Sequence, residues 1–158
     1  MVSDMRWLRG FSGRRKWTPE RELSEDALKD EYRAVKTGRN ANGVYALLWE
    51  RGVRRCIGES RILYVGSSWS PNWTIPDRLW CLVDRKYRDK HVYDDLERFR
   101  ELAKSRHMGS KTYYTCLVMP GNRAEARERE ILMAYMKEHG ELPPFNRQLP
   151  PCKRKHKS

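Results

Sequence analysis

The sequence predicts an α+β domain in which helices flank a small antiparallel sheet of three strands. Apolar and aromatic runs typical of strands alternate with periodic apolar stripes typical of helices, in the order α-β-β-α-α-β-α. A length of 158 residues suits one domain with a hydrophobic core and is too short for two. Six tryptophans and eight tyrosines supply apolar surface that a disordered basic chain lacks.

The first half of the chain predicts one helix followed by a pair of strands. Ser24 is a good N-cap before two acidic residues, and Gly38 is a typical helix stop, so a helix is expected between them. Residues 44–49 and 62–65 are apolar and aromatic enough for strands, with a ragged piece at 53–57 between them. Together these segments predict an antiparallel hairpin or meander.

The second half predicts three helices and one strand. Residues 67–76, which hold two prolines, are expected to form a loop before a helix that begins near Asp77. Apolar periodicity predicts a further helix over 93–104, and the β-branched and aromatic stretch 113–119 predicts the third strand. A capping-box pattern predicts the start of the last helix, 122–138.

The positive charge is concentrated at the two ends of the chain. Lys and Arg number 33 against 21 acidic residues, a net charge of +12. Residues 1–21 carry a net +4 and residues 147–158 a net +5, which leaves +3 for 22–146. We therefore expect a basic, irregular N-terminal extension over 1–21, the folded domain over 22–147, and a basic tail over 148–158. Such charge favours a polyanionic partner, and nucleic acid is the first candidate.

Several classes of protein are excluded by what the sequence lacks. No apolar run approaches the ~20 residues of a membrane helix, so no membrane association is expected. Residues 1–16 lack the apolar core of a secretory signal, which predicts an intracellular, cytoplasmic protein. The four cysteines form no C-x-x-C pair, which argues against a zinc ribbon or finger.

Two short strings on the paired strands carry the functional hypothesis. Gly43-Val44-Tyr45 opens one strand and Tyr64-Val65-Gly66 ends the next. Paired in this way, they resemble the signature of the GIY-YIG nuclease superfamily. The downstream order extends the resemblance over about 42–147, with Arg78 after the second string, Glu128 and Glu130 on the late helix, and Asn146 in Pro-Pro-Phe-Asn.

The resemblance implies a GIY-YIG-like fold and an endonuclease that hydrolyses DNA, most often double-stranded, with one Mg²⁺ or Mn²⁺ ion. It places Tyr45 and Tyr64 at the attacking water and the phosphate, Arg78 on the scissile phosphate, Glu130 on the metal, and Asn146 as a brace beside the site. The chemistry is reasonable for these residue types. A planar guanidinium suits two phosphate oxygens, and a carboxylate suits Mg²⁺. A tyrosine, with a usual pKa of about 10, needs a nearby cation to act as a base.

The sequence also departs from the family pattern. Eighteen residues separate the two tyrosines, and Arg78 lies twelve residues after Gly66, a longer gap than usual. Some members place a histidine one turn after the arginine, and Leu82 stands there in this chain. His91 or His107 could replace it in space, although histidines in such positions are more often plain surface residues.

The sequence leaves two candidates for the metal ligand. Apolar periodicity favours Glu128, which lies one turn before Ile131, Leu132 and Tyr135. The string of alternating charges that ends at Glu130 resembles the family motif better. We predict Glu130 as the ligand, with Glu128 as the alternative. Either could instead be an exposed glutamate paired with an arginine, a contact worth ~0.3–0.5 kcal/mol.

Two groups of basic residues are predicted to contact nucleic acid. Basic side chains in the hairpin lie near tryptophans that could stack on bases, although the same rings could simply pack the loop onto the domain. A denser basic cluster follows the arginine helix. The predicted contacts are Arg54, Arg55, Arg61, Arg85, Lys86, Arg88 and Lys90. RNA as substrate, a module that binds nucleic acid without cutting it, and specificity from a homodimer or protein partner all remain open.

Overall fold

The computed structural model describes residues 4–36, 42–84 and 90–151, and these form a four-stranded antiparallel sheet with helices on both faces. The elements in chain order are α1 (Asp4–Arg9), β1 (Arg21–Glu22), α2 (Glu25–Lys36), β2 (Gly43–Arg54), β3 (Glu59–Ser68), α3 (Ile75–Trp80), α4 (Lys90–Ser105), β4 (Thr112–Val118) and α5 (Gly121–His139). The predicted α+β class is confirmed. The predicted number of strands was one too few.

The sheet has the strand order β1-β4-β2-β3, so the long β2–β3 hairpin forms one side of it. Tyr45 of β2 lies opposite Gly66 of β3 and opposite Cys116 of β4, which brings the two tyrosine strings side by side as predicted. The unpredicted strand β1 contains only Arg21 and Glu22, both exposed, paired with β4. A strand of two charged residues has no apolar alternation from which it could be predicted.

Residues 4–21 pack on the domain, whereas an irregular extension was predicted over 1–21. Residues 4–9 form α1, and its Leu8 is fully buried together with Trp17. The Trp17 indole N–H donates to the Leu8 carbonyl at 2.8 Å, and Thr18 hydrogen bonds to Cys116 of β4. The sequence analysis did not predict α1 because the six basic residues of 1–21 mask a short apolar stripe.

Alternation along β2 divides the core between the two faces of the sheet. Val44 and Leu48 point to the face covered by α1 and α5, whereas Tyr45 and Trp49 point to the face covered by α2, α3 and α4. Because β2 is buried on both faces, its sequence is a continuous apolar run and not an alternating one. No helix among the described residues is both long and apolar enough to cross a membrane.

The ends of the helices follow local chemistry, with two differences from prediction. Ser24 Oγ accepts from the Ala27 amide at 3.3 Å, as expected of an N-cap, while Gly38 lies outside the described residues. Helix α3 begins two residues early, with Pro76 in its first turn, where a missing N–H costs nothing.

Helix α5 begins one residue before the predicted capping box and does not use it. Its N-cap is Pro120, and no side chain caps the helix. The helix ends as predicted at Gly140, which adopts the left-handed conformation with φ 75°.

Candidate active site

A cavity of about 470 Å³ lies beside β3, the edge strand of the sheet, where residues from both faces of the sheet meet. The tyrosines come from the face covered by α2 to α4, and the carboxylates come from α5 on the other face. The polar residues that argue for a site here are Tyr45, Tyr64, Ser67, Arg78, His91, Glu125, Glu128 and Asn146. The structure therefore brings together four of the five predicted catalytic residues.

The two tyrosines form one wall of the cavity. Tyr45 is 4% exposed, and its ring centroid lies 6.0 Å from that of Tyr64. Gly66 leaves them room, because a Cβ there would lie 2.7 Å from Tyr45 Oη and 2.7 Å from Tyr64 Cε1. Gly66 is thus required because a side chain would not fit beside the two rings, and not because its backbone has a positive φ.

Arg78 reaches the cavity from α3, which is anchored by a capping box. The Thr74 amide donates to Asp77 Oδ2 at 2.7 Å, and the Tyr32 hydroxyl donates to Asp77 Oδ1 at 2.6 Å. Burial alone would raise the pKa of Asp77, but these hydrogen bonds outweigh it and hold that pKa below its usual value. The Arg78 guanidinium lies 5.7 Å from the centroid of the Trp73 ring, a cation–π distance.

Glu128 supplies a carboxyl group from the second turn of α5. Ser67, at the end of β3, donates to its Oε2 at 2.5 Å. Burial raises the pKa of Glu128 to about 7, and the neighbouring Glu125 adds to the rise. The Ser67 hydrogen bond and the positive charge of Arg78 act in the opposite direction. Binding of a proton or a cation would therefore stabilise this carboxyl group in its buried position.

Glu130 does not lie with the other predicted residues. Its side chain is 59% exposed and pairs with Arg127 at 3.2 Å on the other flank of α5. Each helical residue turns by about 100°, so two positions separate Glu128 and Glu130 by about 200° around the axis. The structure places Glu130 outside the cavity that holds the other predicted residues, so Glu128, the alternative, takes its place among the candidates.

Asn146 braces the segment after α5 against β3. Its Oδ1 accepts from the Val65 amide at 2.9 Å, and its Nδ2 donates to the Val65 carbonyl at 2.8 Å. The preceding Phe145 donates its amide to the Leu63 carbonyl at 3.0 Å. This two-point side-chain contact is the brace that the resemblance implies.

His91 lies in the cavity wall at the start of α4, while His107 lies at the other end of that helix and outside the cavity. Leu82, at the family's histidine position, is buried in the core. Ser67 and Glu125 were missed by the sequence analysis. Ser67 follows directly on the second string, and Glu125 lies three residues before Glu128, the helical spacing that could have found it.

The structure gives two of the predicted nucleic-acid contacts internal roles instead. Arg55 is 7% exposed, pairs with Glu141 at 3.1 Å and donates to a backbone carbonyl. Arg61 makes a two-point contact with Glu20, at 3.0 and 2.8 Å. We do not retain either as a phosphate ligand, whereas Arg54 is exposed. Arg85, Lys86 and Arg88 lie outside the described residues, and so does the side chain of Lys90.

The donor set fits one hard cation only if water supplies most of the ligands. Within the described residues, no three His, Cys, Asp or Glu side chains are grouped to hold a metal. Glu128 and Glu125 nevertheless face the same cavity, and burial of Glu128 creates a demand for positive charge. Mg²⁺ is commonly held by one or two carboxylates and keeps several waters.

Comparisons with family models, with curated proteins and with solved structures return no match to this chain. The resemblance to the GIY-YIG nucleases therefore rests on the sequence motifs alone.

Proposed function

We propose that this chain is a divalent-metal-dependent endonuclease of the GIY-YIG type that hydrolyses phosphodiester bonds of double-stranded DNA. The observation that carries the proposal is the convergence of Tyr45, Tyr64, Arg78, Glu128 and Asn146 on one cavity. These residues span about a hundred positions of the sequence and reach the cavity from two strands, two helices and a loop. Their order along the chain is the order that the resemblance requires.

In this proposal Arg78 binds the scissile phosphate. A guanidinium donates two parallel hydrogen bonds to phosphate oxygens and remains charged at any working pH. The ring of Trp73 beside it limits where the guanidinium can lie. Arg78 is thereby held ready to stabilise the charge that develops on the phosphoryl oxygens.

The two tyrosines orient the attacking water on the opposite side of the phosphate. Gly66 lets both rings approach each other, and their burial on the strand keeps them from rotating freely. A hydroxyl fixed on a strand can accept a proton or pass it on at a defined distance. Asn146 contributes by holding β3, on which Tyr64 lies, against the C-terminal segment.

Glu128 is the residue that would hold the cation, with Glu125 nearby in the same cavity. A bound Mg²⁺ would supply Lewis-acid stabilisation of the phosphate and leaving oxygen. Ser67 fixes one oxygen of Glu128 and leaves the other able to face the cavity. His91 is available as a proton donor to the leaving oxygen, in place of the family's histidine.

A nicking assay on supercoiled plasmid tests the proposal. We expect the wild-type protein to convert plasmid to the nicked form with Mg²⁺ or Mn²⁺ and to stop when EDTA is added. Arg78→Ala should lose about 100-fold or more of the rate, the usual effect of removing a preorganised charge donor. Arg98→Ala is the matched control, since Arg98 is exposed on α4 away from the cavity and should cut at the wild-type rate.

Three results would contradict the proposal. Binding of DNA without cleavage under any divalent metal would indicate a module that holds nucleic acid on the same scaffold. Cleavage of RNA but not of DNA would show that the substrate is RNA. Equal cleavage by the wild type and Arg78→Ala would show that the activity comes from another site or from a contaminant.

A further inference from the structure

A second cavity, of about 460 Å³, lies on the other flank of α5 from the candidate active site. We propose that this arginine pocket, defined by Arg14, Arg15, Arg123 and Arg127, binds backbone phosphates of the duplex DNA that the candidate active site cuts. The inference rests on the proposed function and adds the surface that provides affinity. None of these four arginines was predicted from the sequence as a nucleic-acid contact.

The arginine pocket is formed by two segments far apart in the chain. Arg14 and Arg15 come from the bend after α1, and Arg123 and Arg127 lie one turn apart on the first half of α5. Leu8 of α1 and Trp17 beyond the bend are both buried, and a hydrogen bond joins them, so the bend between them is held in place. The basic N-terminal residues are therefore part of a shaped surface and not a loose tail.

The charge of the pocket is strongly unbalanced. Glu130 is the acidic residue in its lining, and it is already paired with Arg127 at 3.2 Å. Arg15 donates from Nη1 to the Val118 carbonyl at 3.0 Å. This hydrogen bond fixes the Arg15 side chain while its guanidinium group keeps its positive charge. Arg14 and Arg123 make no ion pair with any other described residue. Two unpaired guanidinium groups beside a cavity favour phosphate as the occupant.

The position of the pocket suits a polymer and not an isolated anion. Arg123 and Arg127 alternate along α5 with Glu125 and Glu128 of the candidate active site, and the four positions span about 8 Å of helix axis. Duplex DNA carries one negative charge per ~1.7 Å of its axis, so a duplex lying across α5 presents several phosphates to both flanks. The arginine pocket would hold flanking phosphates while Arg78 contacts the scissile one.

The division between the flanks also has an electrostatic reason. An ionised carboxylate at the candidate active site repels DNA and offsets part of the attraction of Arg78 and Arg147, which line the same cavity. Binding of phosphates by the nearby arginine pocket would offset this repulsion, and it would release counterions from the DNA backbone. It would thus act in binding and not in the bond-breaking step.

The test is a binding titration of fluorescently labelled duplex DNA, by anisotropy, over a series of salt concentrations without divalent metal. We expect the double variant Arg14→Gln/Arg123→Gln to bind more weakly than the wild type. If each side chain neutralises one phosphate, the slope of log K against log salt should become less steep by about 1.8. The matched control is Arg98→Gln/Arg106→Gln, which removes two exposed arginines from the other face of the sheet and should leave the slope near that of the wild type.

The outcomes separate this inference from the proposed function. An unchanged slope for the double variant, an equal fall for the control, or no DNA binding by the wild type would overturn the arginine pocket. Loss of binding to duplex RNA but not to duplex DNA would also overturn it. If the double variant binds DNA more weakly while the wild type cuts no nucleic acid, the arginine pocket stands and the proposed nuclease activity fails. All four substituted arginines are exposed or half-buried, and circular dichroism checks that each variant is folded.

Discussion

The two flanks of α5 differ in almost every property although they share the same turns of the helix. One flank contributes Glu125 and Glu128 to the candidate active site, where Ser67 binds a half-buried carboxyl. The other contributes Arg123 and Arg127 to the arginine pocket, where Glu130 is a solvated partner. The chemical environment of a glutamate on α5 is therefore decided by the direction in which its side chain leaves the helix axis, and not by its position along that axis.

The largest expected effect comes from substituting the two glutamates separately. Glu128→Gln should reduce Mg²⁺-dependent plasmid cleavage by at least about 100-fold, because a metal ligand supplies several kcal/mol to the transition state. Glu130→Gln should cut within about twofold of the wild type, since the lost ion pair is exposed and weak. Initial rates at saturating Mg²⁺ provide the measurement.

The reverse pattern, with Glu130→Gln inactive and Glu128→Gln active, would contradict the assignment of the active site to the Glu128 flank of α5. Loss of activity in both variants with intact folding would mean that the arginine pocket takes part in the cleavage step.

The second effect concerns the tyrosine wall opposite the carboxylates. Gly66→Ala places a methyl group against both tyrosine rings, and the resulting displacement should lower the cleavage rate by about 10- to 100-fold. Gly52→Ala is the control in the same hairpin, because its added Cβ approaches only the flexible Glu59 side chain. Binding to duplex DNA should change little in either variant, and a loss of binding equal to the loss of rate would contradict this account.

The third effect is a pH dependence that separates the flanks in the absence of metal. Since burial raises the pKa of Glu128 to about 7 from 4.5, the folded state favours the neutral carboxyl. Its contribution to stability is fully present below pH 4.5 and is lost as the pH rises towards 7. Glu128→Gln should therefore be more stable than the wild type at pH 8, by about 2–3 kcal/mol, and equal to it near pH 4.

Urea denaturation in EDTA at the two pH values measures this difference, with Glu130→Gln as the control on the exposed flank. A Glu128→Gln protein that is less stable than the wild type at pH 8 would show that the carboxylate is well stabilised without a cation.

The smallest effect tests the brace beside the site. Asn146→Ala removes the two hydrogen bonds to Val65 and should lower the free energy of unfolding by about 1–2 kcal/mol. Gln148→Ala, two residues further along and exposed, should be neutral. Thermal melts of both variants measure the effect, and equal melting temperatures would remove Asn146 from the list of structural contacts.

Much of the candidate site could be predicted because its residues stand in short local strings. The resemblance named Tyr45 and Tyr64 in two strings on paired strands and Asn146 at the end of Pro-Pro-Phe-Asn, and these three residues line one cavity. The sequence analysis preferred Glu130, which lies outside the cavity, and the reason for that preference is physical. Apolar periodicity pointed to Glu128, but a string match was given more weight than helical phase.

The parts of the fold that were missed lack a local signal. Helix α1 and strand β1 are short and rich in charge, and they form because tertiary contacts hold them. The burial of Leu8 against α5 cannot be inferred from six residues of sequence. His91 reaches the cavity only because α4 folds back over the sheet. The spacing of residues along the sequence does not indicate such a long-range arrangement.

The contacts of Asn146 have a consequence for how copies of this chain coexist in solution. Strand β3 is an edge strand, and its outward amides and carbonyls could pair with a strand of another molecule. Asn146 and Phe145 occupy these groups at Val65 and Leu63, and the opposite edge, β1, is only two charged residues long. Strand pairing between molecules is thus blocked at Leu63 and Val65 by the same segment that completes the cavity.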